Sequence, residues 1–219
     1  MRIIATIFFL QITSVWFAAG AAAQSAVAER ISGVSVASHP DKGVVLLAVR
    51  WDRRWNCSGF ENAQLRAIGF DKLPSAKTGD DANADVLLDD APLIATKPAF
   101  DNYAFMVEPG DYALSRLEIK VAKSKSEVGF FKIPRSRFLK DGQSLGGSFT
   151  VAAGEVVYLG HFYLDCTLQP ILWRYYAEGR DGFNAYLASL KRSHPALETE
   201  KVVFRLFQTK EFGNDYKLP

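Results

Sequence analysis

Four groups of residues have the types and spacing to do chemistry. The first is Gly142-Gln143-Ser144-Leu145-Gly146, which matches Gly-x-Ser-x-Gly. In a nucleophile elbow that pentapeptide sits on a sharp strand-to-helix turn and exposes the serine hydroxyl beside an oxyanion hole. An acid, Asp165 or Asp181, and then His194 follow in the order a serine-type hydrolase uses. The surroundings argue the other way. Strand-like Ser148-Phe149-Thr150-Val151 comes next instead of a helix, and Lys140-Asp141 makes a poor core strand before it. We expect a glycine-rich surface loop, with hydrolysis at Ser144 as the alternative.

The second group, Asp81-Ala82-Asn83-Ala84-Asp85, has the opening spacing of a calcium loop. The glycine needed at its sixth position is Val86, and the glutamate needed at its twelfth is Pro92. A solvated acidic loop is the better expectation. The third is His161 with Asp165 on one strand. Four residues of extended chain hold them about 13 Å apart, too far for direct contact. A surface histidine is expected, and neither a metal nor a cofactor is called for. The fourth is a crowd of cations: Arg116, Lys120, Lys123, Lys125, Lys132, Arg135, Arg137 and Lys140. Sharing a face, Lys120, Lys123, Lys125, Lys132, Arg135 and Arg137 would meet anionic lipid headgroups or lipopolysaccharide phosphates. The competing reading is a solvated surface, or pairing with Asp71, Asp80, Asp81, Asp85, Asp89 and Asp90 of a long loop.

The elements that must position these groups are strands. Val44 to Trp51 is apolar on both faces, as a central strand requires. Tyr103, Phe105 and Val107 alternate with their neighbours, and so do Leu117, Ile119 and Val121. Tyr112 and Leu114 lie in the opposite phase to Leu117, which predicts a bulge near Ser115 or a change of environment. Val128–Ile133, Ser148–Val151, Glu155–Cys166, Ile171–Tyr176 and Lys201–Phe207 complete the set, with Leu65–Phe70 and Val86–Leu88 as weaker candidates. In Glu155–Cys166 the even positions form the more apolar face. Gly160 leaves a gap there for another backbone or a large ring.

Glu108-Pro109-Gly110-Asp111 fits a type II turn, with proline presetting one φ and glycine accepting a positive one. Tyr112 follows it, and its hydroxyl needs a nearby carbonyl if buried. Ala153-Gly154 is close enough to two strands for a hairpin. One helix is expected over 182–192, with Asp181 as its cap and Phe183, Tyr186, Leu187 and Leu190 as its apolar stripe. Residues 73–98 read as a long loop holding one short strand.

The N-terminus carries the strongest signal. Arg2, an apolar run from Ile3 to Phe17 and Ala21-Ala22-Ala23 read as a signal peptide of residues 1–23, cut near Ala23–Gln24. The alternative is a retained anchor, since residues 3–23 are roughly long enough to cross a bilayer. Cleavage leaves about 195 residues, enough for one domain with a real core. No later segment is apolar for long enough to span a membrane. The predicted address is therefore periplasmic or secreted. In that compartment Cys57 and Cys166, the only cysteines, are expected to form a disulfide; two free thiols or a shared metal site are the competing readings. A net charge of +2 offers no global field for nucleic acid.

Two stretches carry a resemblance: Val107-Glu108-Pro109-Gly110-Asp111-Tyr112-Ala113-Leu114, and Phe149 to Gly160 with its Ala153-Gly154-Glu155-Val156-Val157-Tyr158-Leu159-Gly160 ending. They resemble small exported bacterial proteins, many of them lipoproteins, in families whose function is not established. The resemblance implies a prealbumin-like, carboxypeptidase-regulatory-like β-sandwich over the middle of the chain, and no catalytic residues. No cysteine follows the leader closely, so the lipid-modified route of those members is closed.

Strands joined by short turns, without alternating helices, predict an all-β antiparallel sandwich of residues 24–219 with one C-terminal helix packed on it. The leading functional expectation is a non-enzymatic binding or scaffold module of the cell envelope, its partner an unknown envelope component. The alternatives are the Ser144 hydrolase and a carrier of a small apolar ligand.

Overall fold

The computed structural model describes residues 28–31, 39–77, 79–80, 82–92 and 98–219. The signal-peptide reading of residues 1–23, its cleavage point and Asp81 lie outside the described residues. In chain order the strands are β1 (Glu29–Arg30), β2 (Gly43–Val49), β3 (Arg54–Cys57), β4 (Phe60–Lys72), β5 (Val86–Leu88), β6 (Asp101–Val107), β7 (Gly110–Ala122) and β8 (Val128–Ile133). They continue as β9 (Leu139–Lys140), β10 (Gln143–Ser144), β11 (Ser148–Val151), β12 (Val156–Asp165) and β13 (Ile171–Tyr175). Helix α1 (Gly179–Ser193) then precedes β14 (Val202–Phe204).

These strands form two principal sheets. The first runs β1-β6-β2-β12, and the far edge of β12 is shared by β14 at its start and β13 at its end. The second runs β7-β4-β3, with β11 and β8 on the outer edge of β7 and β5 beside β4. β9 and β10 make a separate hairpin. The second sheet is antiparallel as expected, but the first is mixed: β12 runs parallel to both β2 and β14. β2 and β12 are about a hundred residues apart in sequence, so no tight turn forces them antiparallel.

The fully buried β2 explains its two-faced apolarity. Val45, Leu47 and Val49 enter the core between the sheets, with Leu65, Phe70, Leu114, Phe149 and Phe162. Val44, Leu46 and Ala48 face a second core under α1, with Tyr158, Phe183, Tyr186 and Leu190. The helix is longer than the 182–192 predicted. Asp181 is not its cap: Glu178 holds that position without a side-chain bond, and Asp181 lies in the first turn, where a carboxylate still favours the helix dipole.

Among the described residues, three register shifts set which residues reach which layer, and one of them leaves Arg66 as an extra residue on β4, between the Leu65–Ile119 and Ala67–Glu118 pairs. Gly69 pairs with Arg116 but Phe70 pairs with Leu114, so Ser115 is the extra residue, where the phase break predicted it. Both Leu114 and Leu117 thereby face the core. The bulge on β12 is not visible in the alternation of the sequence. On β12 the pairing jumps from Tyr158–Leu46 to His161–Ala48. Gly160 makes this possible with a φ of +117°, and a Cβ there would sit 2.9 Å from the Tyr175 carbonyl oxygen. The single apolar face expected for the even positions is therefore corrected. Val156 and Tyr158 face the helix, whereas Phe162 and Leu164 face the inter-sheet core.

The Pro109–Gly110 turn carries the chain from β6 in the first sheet to β7 in the second. Gly110 takes a φ of +142°, and the Tyr112 hydroxyl donates to the Glu108 carbonyl at 2.9 Å, satisfying the buried phenol across the turn. The Ala153-Gly154 turn also crosses between sheets, because β11 pairs with β7 and β12 with β2, so the predicted hairpin is not formed. Cys57, at the end of β3, is bonded to Cys166, just past β12, with 4.8 Å between the Cα atoms. This disulfide ties the two sheets together. None of the described helices is long and apolar enough to cross a membrane.

Candidate functional site

The β7–β8 hairpin and its neighbours β4 and β3 build the site. Antiparallel register places cross-strand partners on one face. Trp55 pairs with Asn62, Asn62 with Ala122, and Ala122 with Val128. The next rows join Gln64 to Lys120 and Phe130, then Glu118 to Lys132. The inward residues Leu117, Ile119 and Val121 belong to the core, so these rows are the outer face of the second sheet. Trp55 is 59% exposed there, Phe130 51% and Val128 46%. Trp55, Asn62, Lys120, Ala122, Lys125 and Val128 line a groove of about 280 Å³.

Cations interleave with these apolar side chains. The Arg53 guanidinium lies 5.5 Å from the centre of the Trp55 ring. Among the described residues, Arg53, Lys120 and Lys125 make no ion pair. Lys132 is a distant partner of Glu118 at 3.9 Å, and Lys123 pairs with Glu127 at 3.0 Å. Glu61 also lines the groove, and Glu118 and Glu127 stand beside it, but cations outnumber them, so the face is aromatic with an excess of positive charge.

Arg135 does not join it, and its assignment as a surface contact is corrected. It is 4% exposed, and its Nε donates to a carboxylate oxygen of the buried Asp71 at 2.9 Å. Its backbone amide donates to Asp80 at 2.7 Å, and its guanidinium also bonds the carbonyls of Gly79 and Ala82. The chain beyond β8 turns inward at Pro134, so Arg135 clamps the acidic loop. Arg137, exposed, lies at the opposite end of the hairpin from the groove and borders a different cleft.

The remaining candidates are not brought together. Ser144 sits on β10, followed by the strand β11, and its hydroxyl accepts the Gly147 amide at 3.1 Å. His194 caps the far end of α1 with Nδ1 2.9 Å from the Ser193 hydroxyl. Asp165 accepts from the Thr167 amide at 2.7 Å, and no hydrogen bond joins any of these groups to another. In the acidic loop, Lys77 occupies the carboxylates of Asp85 at 2.8 Å and Asp71 at 3.3 Å, and it donates to the Asn83 carbonyl at 2.9 Å. An ammonium thus holds the Asp85 carboxylate that the loop pattern would give to calcium. No cluster of metal-ligating side chains occurs among the described residues.

His161 is not the surface residue expected. The Gly160 bulge turns it toward α1, where its ring lies 4.9 Å from Phe100, 5.2 Å from Tyr186 and 5.5 Å from Tyr158. Its Nε2 is buried without a partner. Desolvation lowers its pKa to about 4.

Sequence reading missed Arg53, Trp55, Val128 and Phe130 as members of the site. The available signal was Val128-Gly129-Phe130-Phe131-Lys132, a strand apolar on both faces that nonetheless forms an edge. Comparison with known proteins supplies no guide: no family model, curated protein or solved structure matches the chain.

Proposed function

We propose that the protein is a non-enzymatic binding module of the cell envelope, periplasmic or secreted, that docks the outer face of β3, β4, β7 and β8 on an anionic amphiphilic surface. The observation that carries this reading is the interleaving of exposed Trp55, Val128 and Phe130 with the unpaired cations Arg53, Lys120 and Lys125. Aromatic side chains settle at the headgroup level of membranes, where their apolar bodies leave water. Each cation near an anionic leaflet contributes about 1 kcal/mol, and burying each large apolar side chain about 1.5–3 kcal/mol. Three of each, even partly engaged, correspond to binding on the order of micromolar.

The compartment is part of the proposal. A buried inter-sheet disulfide suits an oxidising environment, and the N-terminal pattern has the form of an export signal. The family resemblance, with its exported prealbumin-like sandwiches, points the same way. Anionic phospholipid headgroups and lipopolysaccharide phosphates offer the same chemistry, and vesicle composition separates them. The protein should co-sediment with vesicles containing phosphatidylglycerol, with lipopolysaccharide, or with both, but not with pure phosphatidylcholine. Trp55→Ala with Phe130→Ser, and separately Lys120→Glu with Lys125→Glu, should each abolish binding while leaving the melting temperature close to that of the parent. Equal sedimentation of parent and both variants would refute the docking face.

A further inference from the structure

We propose that a second cleft, at the open side of the sandwich, binds a single-chain amphiphile with an anionic head. This inference rests on residues separate from the docking face and stands without it. The cleft holds about 380 Å³, within the usual range for small-molecule sites. It opens between two edge strands, because β8 pairs only with β7 and β13 only with β12. Leu117 and Ile133 form one wall, Ile171 and Leu172 the other, and Phe138 and Phe212 close it from the flanking loops. Apolar walls of this kind offer burial to a hydrocarbon chain.

The mouth sets the sign of the head group. Arg137 lines it, exposed and without an ion-pair partner among the described residues. Its planar guanidinium matches a carboxylate or a phosphate with two parallel hydrogen bonds. Leu145, 52% exposed at the same mouth, is a large apolar side chain that an entering chain would cover. Glu211 also lines the cleft but forms no ion pair with Arg137, so the guanidinium keeps its hydrogen-bonding edge free for a ligand. Its carboxylate repels an anionic head and moderates the affinity.

Isothermal titration of the full protein with decanoate and with decyl phosphate, each below its micelle concentration, tests this. One saturable site is expected for at least one of the two, and the tighter ligand identifies the head group. Decyltrimethylammonium, with the same tail and the opposite charge, should bind at least about tenfold more weakly. Arg137→Glu and Leu145→Asp, both at exposed positions, should each weaken anion binding by about tenfold or more, and Glu211→Gln should strengthen it. Trp55→Ala with Phe130→Ser should change nothing. The proposal fails if neither anion saturates, if Arg137→Glu binds as the parent does, or if the Trp55/Phe130 variant loses binding instead.

Discussion

Acid should destabilise this protein in part through a buried histidine. His161 lies among Phe100, Tyr158 and Tyr186, and its Nε2 has no partner. Neither tyrosine supplies a charge, since burial raises both phenols far above neutrality. Burial holds the imidazole neutral down to a pKa of about 4 in the folded chain, against 6.5 when exposed. Between those values the unfolded chain takes a proton that the folded chain refuses. Stability from this group is therefore complete above pH 6.5 and declines as the pH falls toward 4. At about 1.4 kcal/mol per pH unit, the full window corresponds to about 3 kcal/mol, and pH 4.5 reaches most of it.

Urea denaturation at pH 7 and pH 4.5, for the parent and His161→Phe, isolates the effect. Glu155 and Asp165, whose pKa values are held low, and His194, whose pKa burial also lowers, weaken the fold in acid too, but they do so in both proteins and cancel. The parent should lose about 2–3 kcal/mol more than the variant between the two pH values. His161→Phe should also be no less stable at pH 7, because it removes an unpartnered buried nitrogen. Identical acid losses in the two proteins would refute the reasoning.

Other variants probe the scaffold. Arg135→Met strands the buried Asp71 with Lys77 as its remaining cation and should cost about 3 kcal/mol in urea denaturation, with faster proteolysis between residues 73 and 85. Tyr112→Phe deletes the bond to the Glu108 carbonyl and should lower stability by about 1–2 kcal/mol, read from the denaturation midpoint. Replacing Cys57 and Cys166 together by alanine should cost about 4–5 kcal/mol on the chain-entropy account while leaving the far-UV spectrum of a β protein. Thiol titration of the unreduced parent should find no free thiol.

What was legible beforehand was local. Period-two alternation marked most strands, the phase break at Ser115 marked a bulge, and the helical stripe from Phe183 to Leu190 marked α1. An isolated cysteine pair, read together with the export signal, pointed to the disulfide. What was hidden depended on distant partners. Arg135 reads as a surface cation until Asp71, 64 residues away, is seen to bury it. His161 reads as exposed until the Gly160 bulge turns its phase and α1 covers it. The cationic–aromatic face required β3 and β8 to flank β4 and β7, a register that no single strand encodes. Charge counting found the lysines of that face but not the aromatic residues between them.

The docking face is tested most directly at Trp55, which is exposed while Trp51 is buried. Vesicles of phosphatidylglycerol carrying brominated acyl chains quench a tryptophan only where it enters the bilayer. The account predicts strong quenching of the parent that disappears in Trp55→Phe and in high salt. Full quenching in Trp55→Phe, or none in the parent despite binding, would contradict it.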